Sequence, residues 1–285
     1  MHADELHTDV PLVRGLLAGQ FPEWAVLPIE RVSSSGTDNA LYRLGDDLVV
    51  RLPRIHWAES GLAKELQWLP LLAPLLPVEI PVPVARGRPA EGYPWEWAIY
   101  SWLQGENPSP GEVPATDLVG LLRAFREIDL PNAPPTRRGK PLLSQDEWTR
   151  AALVELDGMI DTEAVTAAWD AALRVPDWAG PPVWLHGDLL PGNLLVRDDH
   201  LSGVLDFSLV GVGDPACDLI VAWALLPVEA RERFRAELGV DDDTWARGRG
   251  WALSIALVAL PYYKDTNPGF AATARHLIAE VLAES

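Results

Sequence analysis

In "HGDLLPGNLLVRDDHLSGVLDFSLVGVGDPACDL", residues 186–219, three side chains have the chemistry to handle a phosphate and its metal: Asp188, Asn193 and Asp206. Two short apolar runs, "NLLV" and "LSGVLDF", flank the turn-like cluster "RDDH". They predict a β-hairpin that pairs Leu194–Val196 with Val204–Phe207. A hairpin folds its ends together, so Asn193 and Asp206 become neighbours. An amide oxygen beside a carboxylate makes a hard-oxygen site suited to Mg²⁺ carried on a nucleotide. Asp188 precedes Asn193 by five residues, in a loop whose Gly187, Pro191 and Gly192 suit irregular backbone. From there a carboxylate can orient a hydroxyl and accept its proton during phosphoryl transfer.

The surrounding elements have to position these groups. Residues 9–19 predict an amphipathic helix. The stretch "AVLPIERVSSSGTDNALYRLGDDLVVRLPR" alternates as three strands, with turns at Ser33–Asn39 and Gly45–Asp47. A helix follows over "WAESGLAKELQWLPLLAPLL", with Leu62, Leu66, Leu69 and Leu72 at helical spacing and Pro70 and Pro74 interrupting it. "PWEWAIYSWLQGE" has strand chemistry and ends at Gly105. Beyond residue 114, "ATDLVGLLRAFREI", "SQDEWTRAALVEL" and "TEAVTAAWDAAL" are helical, and so is the tail after the hairpin. The Pro-rich, basic "PNAPPTRRGKP" separates the first two of these helices. A sheet-rich first third followed by a helix-rich remainder predicts an α+β chain in two parts.

The order Asp, Asn, then Asp-Phe follows the protein-kinase pattern of catalytic-loop acid, metal-binding amide and metal-binding acid. Here Gly187 stands where protein kinases have Arg, and "DFS" replaces D-F-G. With "GDPACDL" following, the stretch resembles the aminoglycoside phosphotransferase family of kinase-like small-molecule phosphotransferases. That resemblance implies a protein-kinase-like two-lobe fold: a small antiparallel-sheet N-lobe (1–104) binding nucleotide, and a larger helical C-lobe (105–285) for catalysis and the acceptor. It assigns Asp188 as catalytic base and Asn193 and Asp206 as metal ligands. It makes His186 a brace of the catalytic loop, and Asp214 and Asp218 a brace at the start of the next helix. Carboxylates there also suit a helix N-terminus.

In the N-lobe, Arg51 of "LVVRLPR" occupies the strand position where kinases carry a phosphate-contacting Lys. An "RxPR"-like setting resembles macrolide kinases within the family. Glu65, in the next helix, is the expected ion-pair partner. Ser34, Ser35 and Gly36, between the first two strands, can cover phosphates with backbone N–H groups and hydroxyls. The backbone of Ser101, Trp102 and Leu103 resembles the hinge that hydrogen-bonds a nucleotide base. "GVGDPA", residues 211–216, matches a dinucleotide-binding G-x-G-x-x-A. It is rejected because helices rather than a βαβ unit follow, and because Asp214 would repel a pyrophosphate. There is no P-loop signature, and one Cys with scattered His gives no zinc site.

Composition narrows the function classes. A net charge of −18 and a pI near 4.6 exclude a nucleic-acid partner, which needs a basic surface. The single Cys217 cannot form an intrachain disulfide and fits a reducing compartment. The first ten residues, "MHADELHTDV", carry acids where a signal peptide needs bases and an apolar run. The expectation is a cytoplasmic monomer or weak homodimer, without membrane contact, that uses Mg²⁺ and ATP or GTP to phosphorylate a hydroxyl of a small molecule. An aminoglycoside or macrolide antibiotic is the first choice of acceptor. The alternatives are an amino alcohol or sugar, as in choline- and homoserine-kinase relatives, and a non-catalytic nucleotide-binding pseudokinase. The intact Asp188, Asn193 and Asp206 argue against the pseudokinase. No A-P-E motif follows Asp206, which argues against a protein substrate.

Overall fold

Asp9 starts the first helix, α1 (Val10–Gln20), by accepting a hydrogen bond from Leu12 N at 2.9 Å, with a proline in the first turn. The computed structural model describes residues 5–32 and 38–284. The chain divides into two compact units, one of Met1–Gly105 with Ser202–Ser208, the other of Glu106–Leu201 with Leu209–Ser285.

The first unit is built on a five-stranded sheet. Its strands are β1 (Ile29–Arg31), β2 (Asn39–Leu44), β3 (Leu48–Pro53), β4 (Pro83–Gly87) and β5 (Trp97–Ser101), in the order β1-β2-β3-β5-β4 with every pair antiparallel. Alternation along β2 buries Ala40, Tyr42 and Leu44. Val13, Leu16 and Leu17 recur at helical spacing on α1 and are fully buried in the same core as Tyr42, Val50, Leu52, Trp97 and Ile99. Each such side chain contributes roughly 1.5–3 kcal/mol through burial. Strand β4 is an addition to the sequence reading. "PVPVARG" has prolines that argue against a central strand, and the fold places it at the sheet edge, where Pro83 opens the strand at no cost to the ladder.

Helix α2 (Ala58–Leu72) corrects the expectation in two ways. Pro70 does not interrupt it; the helix runs through Pro70, and Pro74 lies in the 3₁₀ turn that follows. The buried face is Leu62, Glu65, Trp68, Leu69 and Leu72, with Leu66 only half-buried. An acid therefore occupies a core position.

The second unit carries α3 (Ala115–Glu127), α4 (Asp146–Glu155), α5 (Thr162–Leu173), β6 (Val183–Leu185), β7 (Leu194–Arg197), β8 (His200–Val204), β9 (Gly211–Gly213), α6 (Ile220–Leu225), α7 (Val228–Leu238), α8 (Asp242–Tyr263) and α9 (Pro268–Leu282), with β8 running on past the unit boundary. Asp161, Asp241 and Asn267 cap α5, α8 and α9 through their side chains. Helix α8 buries residues around most of its circumference, including Trp251, Leu253 and Leu257, as befits a central helix. No helix among the described residues is long and apolar enough to cross a membrane.

Strands β7 and β8 form the two-stranded hairpin, but its register differs from the expectation. The turn is Asp198-Asp199, both left-handed at φ 54° and 62°, as a tight two-residue hairpin requires. This places the second strand at His200–Val204 rather than Val204–Phe207. Asp206 therefore lies beyond the strand end, and Phe207–Leu209 form a 3₁₀ turn.

Candidate active site

In the first unit, Arg51 sits on β3 between Leu41 of β2 and Ala98 of β5. Its Nη1 donates to both Glu65 oxygens at 2.7 Å, and its Nη2 donates to Asp206 Oδ1 at 3.2 Å. The Asn39 carboxamide, turned with its oxygen towards Arg51, accepts from Nε at 3.2 Å and Nη2 at 2.9 Å. Tyr100 donates its hydroxyl to Glu65 Oε2 at 2.9 Å. Burial alone would push the Arg51 pKa down. Glu65, Asp206 and Tyr100 outweigh it and leave the guanidinium above its usual range. Burial lifts Glu65 above the ordinary carboxyl range against the pull of Arg51. Burial, then Glu65, raises Tyr100, which stays a phenol donor.

Asp206 has a left-handed backbone, φ 58°, and also accepts from Ser208 N at 3.3 Å. A bulkier side chain in that region is strained; Asp tolerates it through local hydrogen bonds. Helix α2 grips the adjacent turn. Lys64 Nζ donates to Ser208 O at 3.2 Å, and a Cβ on Gly61 would stand 3.0 Å from Ser208 Cβ. The same helix thus presents Glu65 to Arg51 and holds the backbone just past Asp206.

The expected hinge is narrowed by backbone pairing. Ser101 N donates to Val82 O at 3.0 Å, and Trp102 N donates to Asp47 O at 2.7 Å. Leu103 is the member of the trio whose N–H has no partner among the described residues. The indole of Trp102 instead packs under Arg43, 4.9 Å from ring centre to guanidinium carbon. Ser34, Ser35 and Gly36 lie outside the described residues.

In the second unit, the loop after β6 holds Asp188, and a 3₁₀ turn Pro191–Asn193 leads into β7. Asn193 Nδ2 donates to Asp188 O at 2.9 Å and Asp188 Oδ2 at 3.0 Å. Its Oδ1 is left without a partner among the described residues. Behind the loop, buried Asp218 accepts from His186 N and Gly187 N, each at 2.7 Å. Burial pushes Asp218 up to about 6, although these two N–H groups oppose the rise. Fully buried His186 accepts at Nδ1 from Asp188 N at 3.2 Å, which puts the ring proton on Nε2. Gly187 has φ 86°, which favours glycine, and Arg138 Cβ packs against it.

Asp214 does a different job from Asp218. It caps the turn Pro215–Leu219 through Ala216 N at 3.0 Å and pairs with buried Arg247, whose Nε donates to Oδ2 at 2.7 Å. Arg247 also reaches Pro176 O and Thr244 Oγ1, both at 3.0 Å.

Two supporting residues had no signal in local sequence. Arg247 is one. The other is Asn107, whose Nδ2 lies within hydrogen-bond distance of Leu194 O at 2.8 Å, Gly192 O at 3.1 Å and Pro191 O at 3.4 Å, tying down the turn that carries Asn193. Glu65 did carry a signal, as an acid in register with Leu62, Leu69 and Leu72. The glycines of "GVGDPA" also find their reason. A Cβ on Gly211 would stand 2.5 Å from Pro134 O, and one on Gly213 would stand 2.4 Å from Gly139 Cα. They admit the backbone of the Pro-rich basic loop, which pairs with β9 through Val212 N to Pro134 O at 2.9 Å.

The GDP and kanamycin complex of APH(2")-IIia superimposes with a TM-score of 0.75 at 20% identity, over 96% of this chain and 99% of that one. The streptomycin–ATP ternary complex of APH(2")-IIa gives 0.63 at 16%, over 98% and 97%. The macrolide 2'-phosphotransferase MphH from Brachybacterium faecium, as apoenzyme, gives 0.60 at 23%, over 96% and 97%. At these identities the likeness establishes the fold, the mixed sheet-and-helix fold of kinase-like enzymes. No curated protein sequence matches the chain. The model of the phosphotransferase enzyme family matches residues 29–251, which span Arg51 through Arg247. The chain therefore belongs to that family, whose members move a phosphoryl group to a hydroxyl of a small molecule.

Proposed function

We propose that this protein transfers the γ-phosphoryl group of ATP or GTP to a hydroxyl of an antibiotic, an aminoglycoside or a macrolide. The observation that carries this reading is the bond from Asn193 Nδ2 to the Asp188 carboxylate at 3.0 Å. It joins the candidate base to a candidate metal ligand and occupies the amide nitrogen of Asn193 rather than its oxygen. Among the described residues there is no cluster of three or more His, Cys, Asp or Glu that could hold a metal by itself. One amide oxygen and one carboxylate suit Mg²⁺, which keeps several waters and takes further oxygens from the nucleotide phosphates. Asn193 and Asp206 would hold it, and when bound it neutralises charge on the phosphates. Residues 1–104 would grip the nucleotide, and residues 105–285 would supply the catalytic loop and the acceptor pocket.

The chemistry then needs little from the protein beyond position. Asp188 accepts a hydrogen bond from the acceptor hydroxyl and takes its proton as the oxygen bonds to the γ-phosphorus. The bond from that phosphorus to the bridging oxygen breaks, and ADP or GDP leaves. Arg51 contributes a permanent positive charge to the phosphates, and most of the acceleration is orientation and electrostatics. The acidic balance of the chain, −18, suits a polycationic acceptor. We place the enzyme in the cytoplasm as a monomer or weak homodimer.

An acceptor screen tests the reading. Purified protein with Mg²⁺ and ATP or GTP is offered aminoglycosides, macrolides, choline, homoserine and simple sugars, and nucleoside diphosphate release is followed. Acceptor-dependent release with an aminoglycoside or macrolide supports it. Release only with an amino alcohol or sugar transfers the protein to metabolite phosphorylation. No acceptor-dependent release, with nucleotide still bound, makes it a non-catalytic binder.

A further inference from the structure

Arg51 has five N–H donors, and the first unit distributes them over three partners. Nη1 serves Glu65, Nη2 serves Asp206, and the edge formed by Nε and Nη2 meets the single oxygen of Asn39 at 3.2 and 2.9 Å. The sheet register makes this contact possible. Leu41 faces Arg51 and Asn39 faces Pro53, so Asn39 is the diagonal neighbour of Arg51 on the same face of β2 and β3. A guanidinium held on that edge cannot rotate about its Cδ–Nε bond. Its Nη1 is then kept on Glu65, and Nη2 is kept on the side of Asp206. An ammonium group has one nitrogen and cannot fill the same cradle.

We propose that Asn39 is a positioning residue that aims the Arg51 guanidinium and makes this strand position specific for arginine. The proposal deepens the reading of Arg51 as a phosphate-binding group, and it rests on that reading for its kinetic consequence. The contact itself can be observed without turnover.

The test uses the full chain labelled with ¹⁵N-arginine. The Arg51 Nε–H resonance, identified by its loss in Arg51→Lys, is expected to exchange slowly and to lie apart from the bulk arginine signals. Asn39→Ala should return it to the bulk, whereas Asn39→Asp, which keeps an acceptor, should hold it apart. In steady-state kinetics Asn39→Ala should raise nucleotide KM roughly tenfold with a smaller fall in kcat, the loss of one charge-assisted hydrogen bond in the ground state. In an Arg51→Lys background the same change should raise KM by less than about twofold, because the coupled partner is already gone. An Nε–H resonance unmoved by Asn39→Ala overturns the proposal, and so does an equal KM rise in both backgrounds. If Asn39→Ala moves the resonance while Arg51→Ala leaves KM unchanged, the cradle stands and the phosphate-binding role of Arg51 falls.

Discussion

Asn193 donates one carboxamide nitrogen to both the main-chain oxygen and the carboxylate of Asp188, at 2.9 and 3.0 Å. The residue proposed to receive a proton is thereby oriented by the residue proposed to hold the metal. Asp188→Asn keeps the shape and removes the base. It should cut kcat about a hundredfold or more while leaving nucleotide affinity nearly intact. Near-normal turnover, measured beside a nucleotide titration, removes Asp188 from the mechanism.

Asp206 sits in a left-handed turn, φ 58°, and is bonded to Arg51 at 3.2 Å. Asp206→Ala should weaken Mg²⁺–nucleotide binding and nearly abolish transfer, with Asn193→Ala milder in the same direction. Calorimetry decides: unchanged Mg²⁺–nucleotide affinity in Asp206→Ala means the metal is held elsewhere.

The Arg51–Glu65 pair is largely buried, with side-chain exposures of 13% and 1%. Arg51→Lys keeps the charge but not the planar fork. It should raise nucleotide KM roughly tenfold with a smaller loss of kcat, as expected when a ground-state contact degrades. Glu65→Gln should act in the same direction to a lesser degree. Equal nucleotide KM values for wild type, Arg51→Lys and Arg51→Ala would reduce Arg51 to a structural strand residue.

Asp218 should make the loop that carries Asp188 sensitive to pH. Its folded pKa is raised from 3.8 to about 6 by burial, so the folded state binds a proton there more readily than the unfolded chain does. The stabilising contribution of the protonated form is complete below the unfolded value and is lost as pH rises through about 6, a swing of about 3 kcal/mol. Activity runs the opposite way. The carboxylate accepts from His186 N and Gly187 N more strongly than the neutral acid does, so kcat should fall as pH drops below about 6. Asp218→Asn should remove this contribution from the pH dependence of thermal stability and lower kcat at all pH values. If its melting curve keeps the wild-type pH dependence between 4 and 6, another group is responsible.

What the sequence determined by itself is local. The order and spacing of His186, Asp188, Asn193, Asp206, Asp214 and Asp218 carry the proposed chemistry, because the loop with Asp188, a hairpin and a turn lie within 34 consecutive residues. The helices with strong periodicity, α1, α3 and α5, were legible, since their burial depends on a repeat a few residues long. The hairpin was legible as an element but not in register. Two aspartates in left-handed conformation set its turn, and propensity does not announce that choice. The Arg51–Glu65 pair was expected from the sequence; tertiary structure alone decided the other partners. Arg51 reaches Asp206 across 155 residues, Arg247 reaches Asp214 across 33, and Asn107 reaches Leu194 across 87. Asn39 meets Arg51 only because β2 and β3 pair in one register and not the next. The Arg51 and Arg247 contacts depend on a guanidinium being carried into a low-dielectric interior by apolar neighbours, where leaving it unpaired would cost more than the hydrogen bond returns. That requirement belongs to the packed fold, and no window of sequence contains it.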